Sequence, residues 1–192
     1  MHFEEEGIYH IFNRSNEQVF FERNNYIFFL RKIKSLVKTE CELLAWCLMP
    51  NHFHMLVQAT ASSAQNVNER HRRATQRLAK NLGTLASAYT SAINKKRERR
   101  GKLWAHSTRA KPIRSQKYAT LCFHYIHQNP VMAGLTDKME DWEFSSYPDY
   151  IGQRPGKLVN QDLAFRILSI EKSIIQEQSQ IVLEEKDVRR FY

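Results

Sequence analysis

Apolar positions along the chain follow two rhythms, a period of two and a period near 3.6, and each marks one kind of element. Residues 7–14, GIYHIFNR, predict a strand: Ile8, His10 and Phe12 alternate with Tyr9 and Ile11, and Asn13-Arg14-Ser15-Asn16 supplies turn chemistry. Residues 23–38 predict a helix, with Asn24 or Asn25 as cap and Tyr26, Leu30, Ile33 and Val37 at helical spacing. Residues 42–48 and 52–58 predict two strands of a hairpin, separated by Met49-Pro50-Asn51, where proline cannot serve a central ladder and asparagine favours a turn. Residues 61–69 are small and polar and predict a loop, and residues 70–96 a long helix with Leu78, Leu82, Leu85, Tyr89 and Ile93 on one stripe. Residues 108–114 predict a fourth strand, placed at a sheet edge by Pro112. A helix follows over 116–128, ended by Asn129-Pro130. Residues 131–157 hold turns and the aromatic cluster Trp142, Phe144, Tyr147 and Tyr150. Residues 161–190 predict a final helical segment with Leu163, Ile167, Ile170, Ile174 and Ile181 on one stripe.

The order strand, helix, strand, strand, helix, strand, helix indicates an α+β fold, a ferredoxin-like antiparallel four-stranded sheet with helices packed on one face, plus a C-terminal helical extension. The other face of such a sheet is free for something else. On this reading residues 1–157 form the main domain and 158–192 the extension.

Charge sharpens the picture. The formal net charge is +9, but residues 70–117 contain fifteen Lys or Arg and the single acid Glu98. That segment therefore carries +14 and the remainder −5. A basic segment on a mildly acidic body is the electrostatic footprint of a protein that binds a polyanion, the alternative being a solvated helix face. No apolar run reaches the length of a membrane span. The three cysteines, Cys41, Cys47 and Cys122, have neither C-x-x-C nor zinc-knuckle spacing, which suits a reduced, cytoplasmic protein, nucleoid-associated if its polyanion is DNA.

Two motifs carry candidate chemistry. In Pro50-Asn51-His52-Phe53-His54, period-two alternation puts His52 and His54 on one strand face, where two imidazoles can chelate a single metal ion or simply line a solvated surface. In Tyr125-Ile-His-Gln-Asn129, helical spacing brings a phenol and an amide to one face. An amide oxygen suits a hard cation such as Mg²⁺ or Mn²⁺. The plain alternative is a half-buried tyrosine beside a helix-ending asparagine. His124 and His127 flank the tyrosine, either to assist proton transfer or on other helix faces.

The segments Tyr9-His10-Ile11-Phe12-Asn13-Arg14, Trp46-Cys47-Leu48-Met49-Pro50-Asn51-His52-Phe53-His54 and Tyr125-Ile-His-Gln-Asn-Pro-Val-Met-Ala-Gly-Leu135 together resemble the single-tyrosine transposases of the HUH superfamily. Within that superfamily they are most similar to the REP-associated tyrosine transposases, and Trp142-Glu-Phe-Ser-Ser-Tyr147 resembles the family's closing segment. The resemblance spans about residues 7 to 151. It implies that Tyr125 is the nucleophile of a single-stranded DNA nuclease and strand transferase acting at hairpin-forming sequences through a 5′-phosphotyrosine intermediate. It implies His52, His54 and Asn129 as ligands of a divalent metal, and single-stranded DNA as partner of a monomer or homodimer. Arg14, Arg72, Arg73, Arg77, Arg109 and Lys111 are the expected DNA contacts. Thr108-Arg109-Ala110-Lys111 departs from the family's Arg-Tyr-Lys before the fourth strand but keeps the charge. Two other classes compete: a catalytically silent hairpin-binding protein, which the intact Tyr125, His52, His54 and Asn129 oppose, and an RNA-binding sheet, whose glycine-aromatic signature is absent.

Overall fold

The computed structural model describes residues 1–67, 75–188 and 191. Four strands form one sheet: β1 (Ile8–Arg14), β2 (Cys41–Met49), β3 (His52–Ala59) and β4 (Arg109–Ile113). Their spatial order is β2-β3-β1-β4 and every pairing is antiparallel. This is the ferredoxin-like arrangement that the sequence pattern predicts. The β2–β3 connection is tight because Pro50 and Asn51 turn the chain, and the Pro50 carbonyl accepts from the Val19 and Phe20 amides. The short β4 takes the edge, where Pro112 costs no ladder bond.

Alternation along the central strands sorts side chains between two faces. Tyr9, Ile11, Phe53, Met55 and Val57 point to the face covered by α1 (Arg23–Leu36) and α3 (Arg77–Lys96). There Phe29 meets Phe53 at 5.1 Å and Tyr89 at 4.9 Å between ring centroids, and Trp104 closes the cluster at 5.5 Å from Phe53. The Tyr89 hydroxyl donates to the Val19 carbonyl at 2.8 Å, so its one polar atom is satisfied inside the core.

The opposite face is not bare. Helix α4 (Gln116–Met132) lies across it, over β2 and β3. The helix runs four residues past the predicted end at 128, straight through Pro130. Proline in the last turn forfeits a single backbone bond, and the end is tied by a Schellman pattern: the Leu135 amide donates to the Pro130 carbonyl and the Gly134 amide to Val131, both at 2.9 Å. Gly134, at φ 65°, supplies the left-handed residue this cap requires.

Other departures are local. Residues 61–64, predicted as loop, form the single-turn helix α2 (Ala61–Ala64). Helix α3 begins at Arg77, after Gln76, whose backbone is extended and whose side chain accepts from the Phe3 amide and donates to the Phe3 and Ala64 carbonyls. The predicted helical residues 70–74 lie outside the described residues. After β4 and α4, the segment Trp142-Glu-Phe-Ser-Ser146 runs along the outer edge of β2, where Leu48 donates to the Phe144 carbonyl and Ser146 to the Trp46 carbonyl. That covers an edge that would otherwise invite strand pairing. A four-residue helix, α5 (Tyr147–Tyr150), follows.

The continuous C-terminal helix does not form. The segment breaks into α6 (Gln161–Ile167), a 3₁₀ turn (Lys172–Ile174), α7 (Ile175–Gln178) and α8 (Glu185–Val188). Ser169 sits at φ 51°, outside helical geometry. Donors on α4 also hold the segment's carbonyls: Gln116 reaches Ile167, Thr120 reaches Leu168, and Gln128 reaches Ser179 and Ile181. The predicted stripe therefore splits, with Leu163 and Ile170 buried but Ile174 39% exposed. Among the described residues no helix is long and apolar enough to cross a membrane, and the three cysteines are buried free thiols.

Candidate active site

The strand register decides which side chains meet beneath α4. Arg14 pairs with His52, Phe12 with His54 and His10 with Leu56 across β1–β3, while Arg109 pairs with Phe12 and Lys111 with His10 across β1–β4. Directly opposite residues share a face, so one side of the sheet carries His10, His52 and His54 between three cations. Alternation places His52 and His54 together as the sequence predicts, their ring centroids 5.0 Å apart and nearly perpendicular.

Helix α4 brings the remaining groups. Tyr125, 1% exposed, stands 5.4 Å from the His54 ring and 6.3 Å from His10, centroid to centroid. One turn on, Asn129 is helical and buried, and its Nδ2 donates to the Tyr125 carbonyl at 2.9 Å. With the amide nitrogen so engaged, the amide oxygen is the atom presented to His52. That contact favours the charged imidazole, opposing burial and Arg14, which together lower the His52 pKa to about 4. Burial, then His10, His52 and Arg14, hold His54 well below the ordinary histidine range, and burial and Lys111 bring His10 to about 3. All three imidazoles are therefore neutral near pH 7, the form that ligates a metal.

The ring nitrogens are anchored on one side. His52 Nδ1 lies 2.6 Å from the Asn51 side-chain oxygen, and His54 Nδ1 lies 2.9 Å from His10 Nε2. His52 Nε2 is buried and makes no well-formed hydrogen bond. Among the described residues no group of three or more His, Cys, Asp or Glu has the arrangement of a metal site. A cation here would rely on two imidazoles and an amide oxygen, a weak set that would leave coordination positions for water and phosphate.

The predicted DNA-contacting cations divide. Arg14 and Arg109 are exposed and Lys111 half-buried around the histidine face. Arg77 stands on α3, across the sheet, 3.8 Å from Glu40. Arg72 and Arg73 lie outside the described residues. His127 donates to or accepts from Ser146 Oγ at 2.7 Å and packs on Phe123, which makes it a tie between α4 and the closing segment. His124 packs edge-on against Phe123.

Two residues of this site were not among the expected site residues. His10 belongs to it because β1 lies beside β3 in a particular register. Phe191, 4% exposed, stacks on the Tyr125 ring at 4.8 Å and 25° and meets His10 edge-on at 5.9 Å. The C-terminal segment thus covers the phenol.

Comparison with known proteins bears on the family and the fold. The family model described as "Transposase IS200 like" matches residues 6–129, a span running from β1 to Asn129. The chain is 24% identical over 158 residues to the protein named "Putative REP-associated tyrosine transposase" of Haemophilus influenzae, covering 70% of this chain and 83% of that one. A solved structure of a REP-associated tyrosine transposase bound to a REP hairpin superposes with a TM-score of 0.58 at 15% identity, over 80% of this chain and 84% of that one, and shares the α+β fold. A family match over well more than half the chain places this protein among the IS200-like transposases.

Proposed function

We propose that this protein cuts and rejoins single-stranded DNA at hairpin-forming sequences, with Tyr125 as nucleophile. The observation that carries this reading is the meeting of Tyr125, Asn129, His52 and His54 on one sheet face, with three cations around it. Arg14, Arg109 and Lys111 hold the DNA backbone, since the strand register sets them around that face. The Tyr125 phenol oxygen attacks a backbone phosphorus; the P–O3′ bond breaks, the phenol loses its proton and the departing 3′ oxygen gains one. A 5′-phosphotyrosine link remains. Because it keeps the energy of the broken ester, a 3′-hydroxyl can reverse the step and rejoin strands without ATP. A phenol with an ordinary pKa near 10 is a poor nucleophile at neutral pH. His52, His54 and Asn129 would hold a divalent metal, Mg²⁺ or Mn²⁺, which when bound would polarise the phosphate and neutralise its charge. A single tyrosine makes one cut at a time, so transfer of an element needs two rounds or two copies of the chain.

The hairpin as substrate rests on the relative solved with a REP hairpin and on the +14 segment. Incubating the protein with single-stranded hairpin DNA and Mn²⁺ should yield a covalent protein–DNA band on a denaturing gel. Tyr125→Phe should abolish that band while hairpin binding stays nearly unchanged. A band of undiminished yield in the variant would refute the assignment, and binding with no band in the parent would leave a hairpin-binding protein.

A further inference from the structure

His10 lies on β1, 44 residues from its partner His54, and is 1% exposed. Its Nε2 is 2.9 Å from His54 Nδ1, and the two rings lie within 18° of parallel. Phe12 stacks on the His10 ring at 4.9 Å and 25°, fixing its plane. Both imidazoles are buried among aromatic rings, which disfavours charge on either. Between two neutral imidazoles one nitrogen must donate and the other accept. If His54 Nδ1 were the acceptor, its proton would sit on Nε2 and block the only other atom that can ligate. A metal-binding His54 therefore needs Nδ1–H donating to His10.

We propose that His10 is the positioning residue of the candidate metal site, accepting the Nδ1 proton of His54 and thereby locking that ligand's tautomer and ring direction. Asn51 does the same for His52 by a purely local contact: its amide oxygen, 2.6 Å from Nδ1, can only accept. The two ligands are thus anchored through the same nitrogen by different means, one from the preceding residue and one from the neighbouring strand. Such partners of a ligating histidine commonly govern metal affinity by about 10- to 100-fold. His10 touches neither the phosphate nor the nucleophilic oxygen in this account; it acts through His54.

The inference rests on the proposed metal-dependent reading, so the test separates the two. Mn²⁺ is titrated calorimetrically into the full chain and into His10→Phe and His10→Gln, with metal-free melting temperatures recorded alongside. The phenylalanine keeps the ring packing but cannot accept a proton, and Mn²⁺ affinity should fall by about 10- to 100-fold. The glutamine amide oxygen can accept it, and affinity should return to within about fivefold of the parent. Nitrogen-15 spectra of the metal-free parent should show His54 protonated at Nδ1. A His54 protonated at Nε2 overturns the inference without any variant, even if His10→Phe does not fold. So does a folded His10→Phe that binds Mn²⁺ as the parent does, or a His10→Gln no better than His10→Phe. A parent that takes up no Mn²⁺ while its His54 carries the Nδ1 proton fails the metal reading itself, and the inference falls with it.

Discussion

The two faces of this sheet are buried to a similar depth for different ends. On the α1–α3 face, Ile11, Phe53, Met55, Phe29 and Leu82 exclude water without polar atoms to satisfy. On the α4 face, His10, His54 and Asn129 are 1%, 1% and 6% exposed, no less enclosed than many core residues. Burying imidazoles and an amide costs free energy unless each finds a partner. Here His10 and His54 partner each other and Asn129 donates to the Tyr125 carbonyl, and the result is a cluster of buried imidazoles beside a tyrosine. One face holds the chain together, and the other gives up some of that stability to a polar cluster which packing alone has no reason to assemble. The contrast lives in the strand alternation: a one-residue slip of β3 would exchange Phe53 and Met55 for His52 and His54.

A truncation on the apolar face should break stability and spare chemistry. Phe29 is fully buried and touches Phe20, Phe53, Tyr89 and Trp104. Phe29→Ala should cost about 3–5 kcal/mol, read by urea unfolding. Adduct yield per folded molecule should stay at the parent level. Tyr125→Phe is its mirror image, with the adduct abolished and the melting temperature little changed. If Phe29→Ala abolished the adduct in the folded fraction, the separation of the two faces would be wrong.

Charge gives a second, smaller contrast. Arg109 and Lys111 stand on β4 beside the histidine face, whereas Arg77 lies across the sheet against Glu40. Reversing Arg109 and Lys111 to Glu should weaken single-strand binding and flatten its salt dependence, the slope falling by about 0.7 for each phosphate no longer neutralised. Arg77→Glu should leave that slope where it was. Equal effects at both places would mean that the basic residues act through bulk charge and not through this face.

The strands and the pairing of His52 with His54 were legible because period two is a local property of the backbone. Asn129 was legible as a neighbour of Tyr125, but Pro130 pointed to a helix end there; Gly134, which terminates the helix a turn later, carries the correcting signal. His10 was visible as an alternating strand residue, yet its place beside His54 depends on β1–β3 register, which couples positions 44 apart. The C-terminal stripe misled because spacing cannot show that Gln116, Thr120 and Gln128 would hold its carbonyls and bend it across α4. Phe191 carries no motif at all, and only the folded chain sets it on Tyr125.

That last contact divides the C-terminal segment into two parts with separate roles. Leu163, Ala164, Leu168, Ile170 and Ile175 are buried in the main core, so deleting residues 160–192 should lower solubility and melting temperature sharply. Phe191 contributes differently: it stacks on a tyrosine that must reach DNA. An aromatic pair of this kind is worth about 0.5–1.5 kcal/mol beyond its buried area. Opening it by mutation should therefore raise the fraction of molecules with an accessible phenol, and with it the initial rate of adduct formation, by roughly 2- to 12-fold. Phe191→Ala, or removal of residues 185–192 alone, tests this without touching the buried positions between 163 and 175. The gain should appear at limiting DNA and shrink at saturation, because DNA that displaces the ring competes with it. A folded Phe191→Ala whose rate equals the parent's at every DNA concentration would show that the ring moves aside freely, leaving the segment as packing alone.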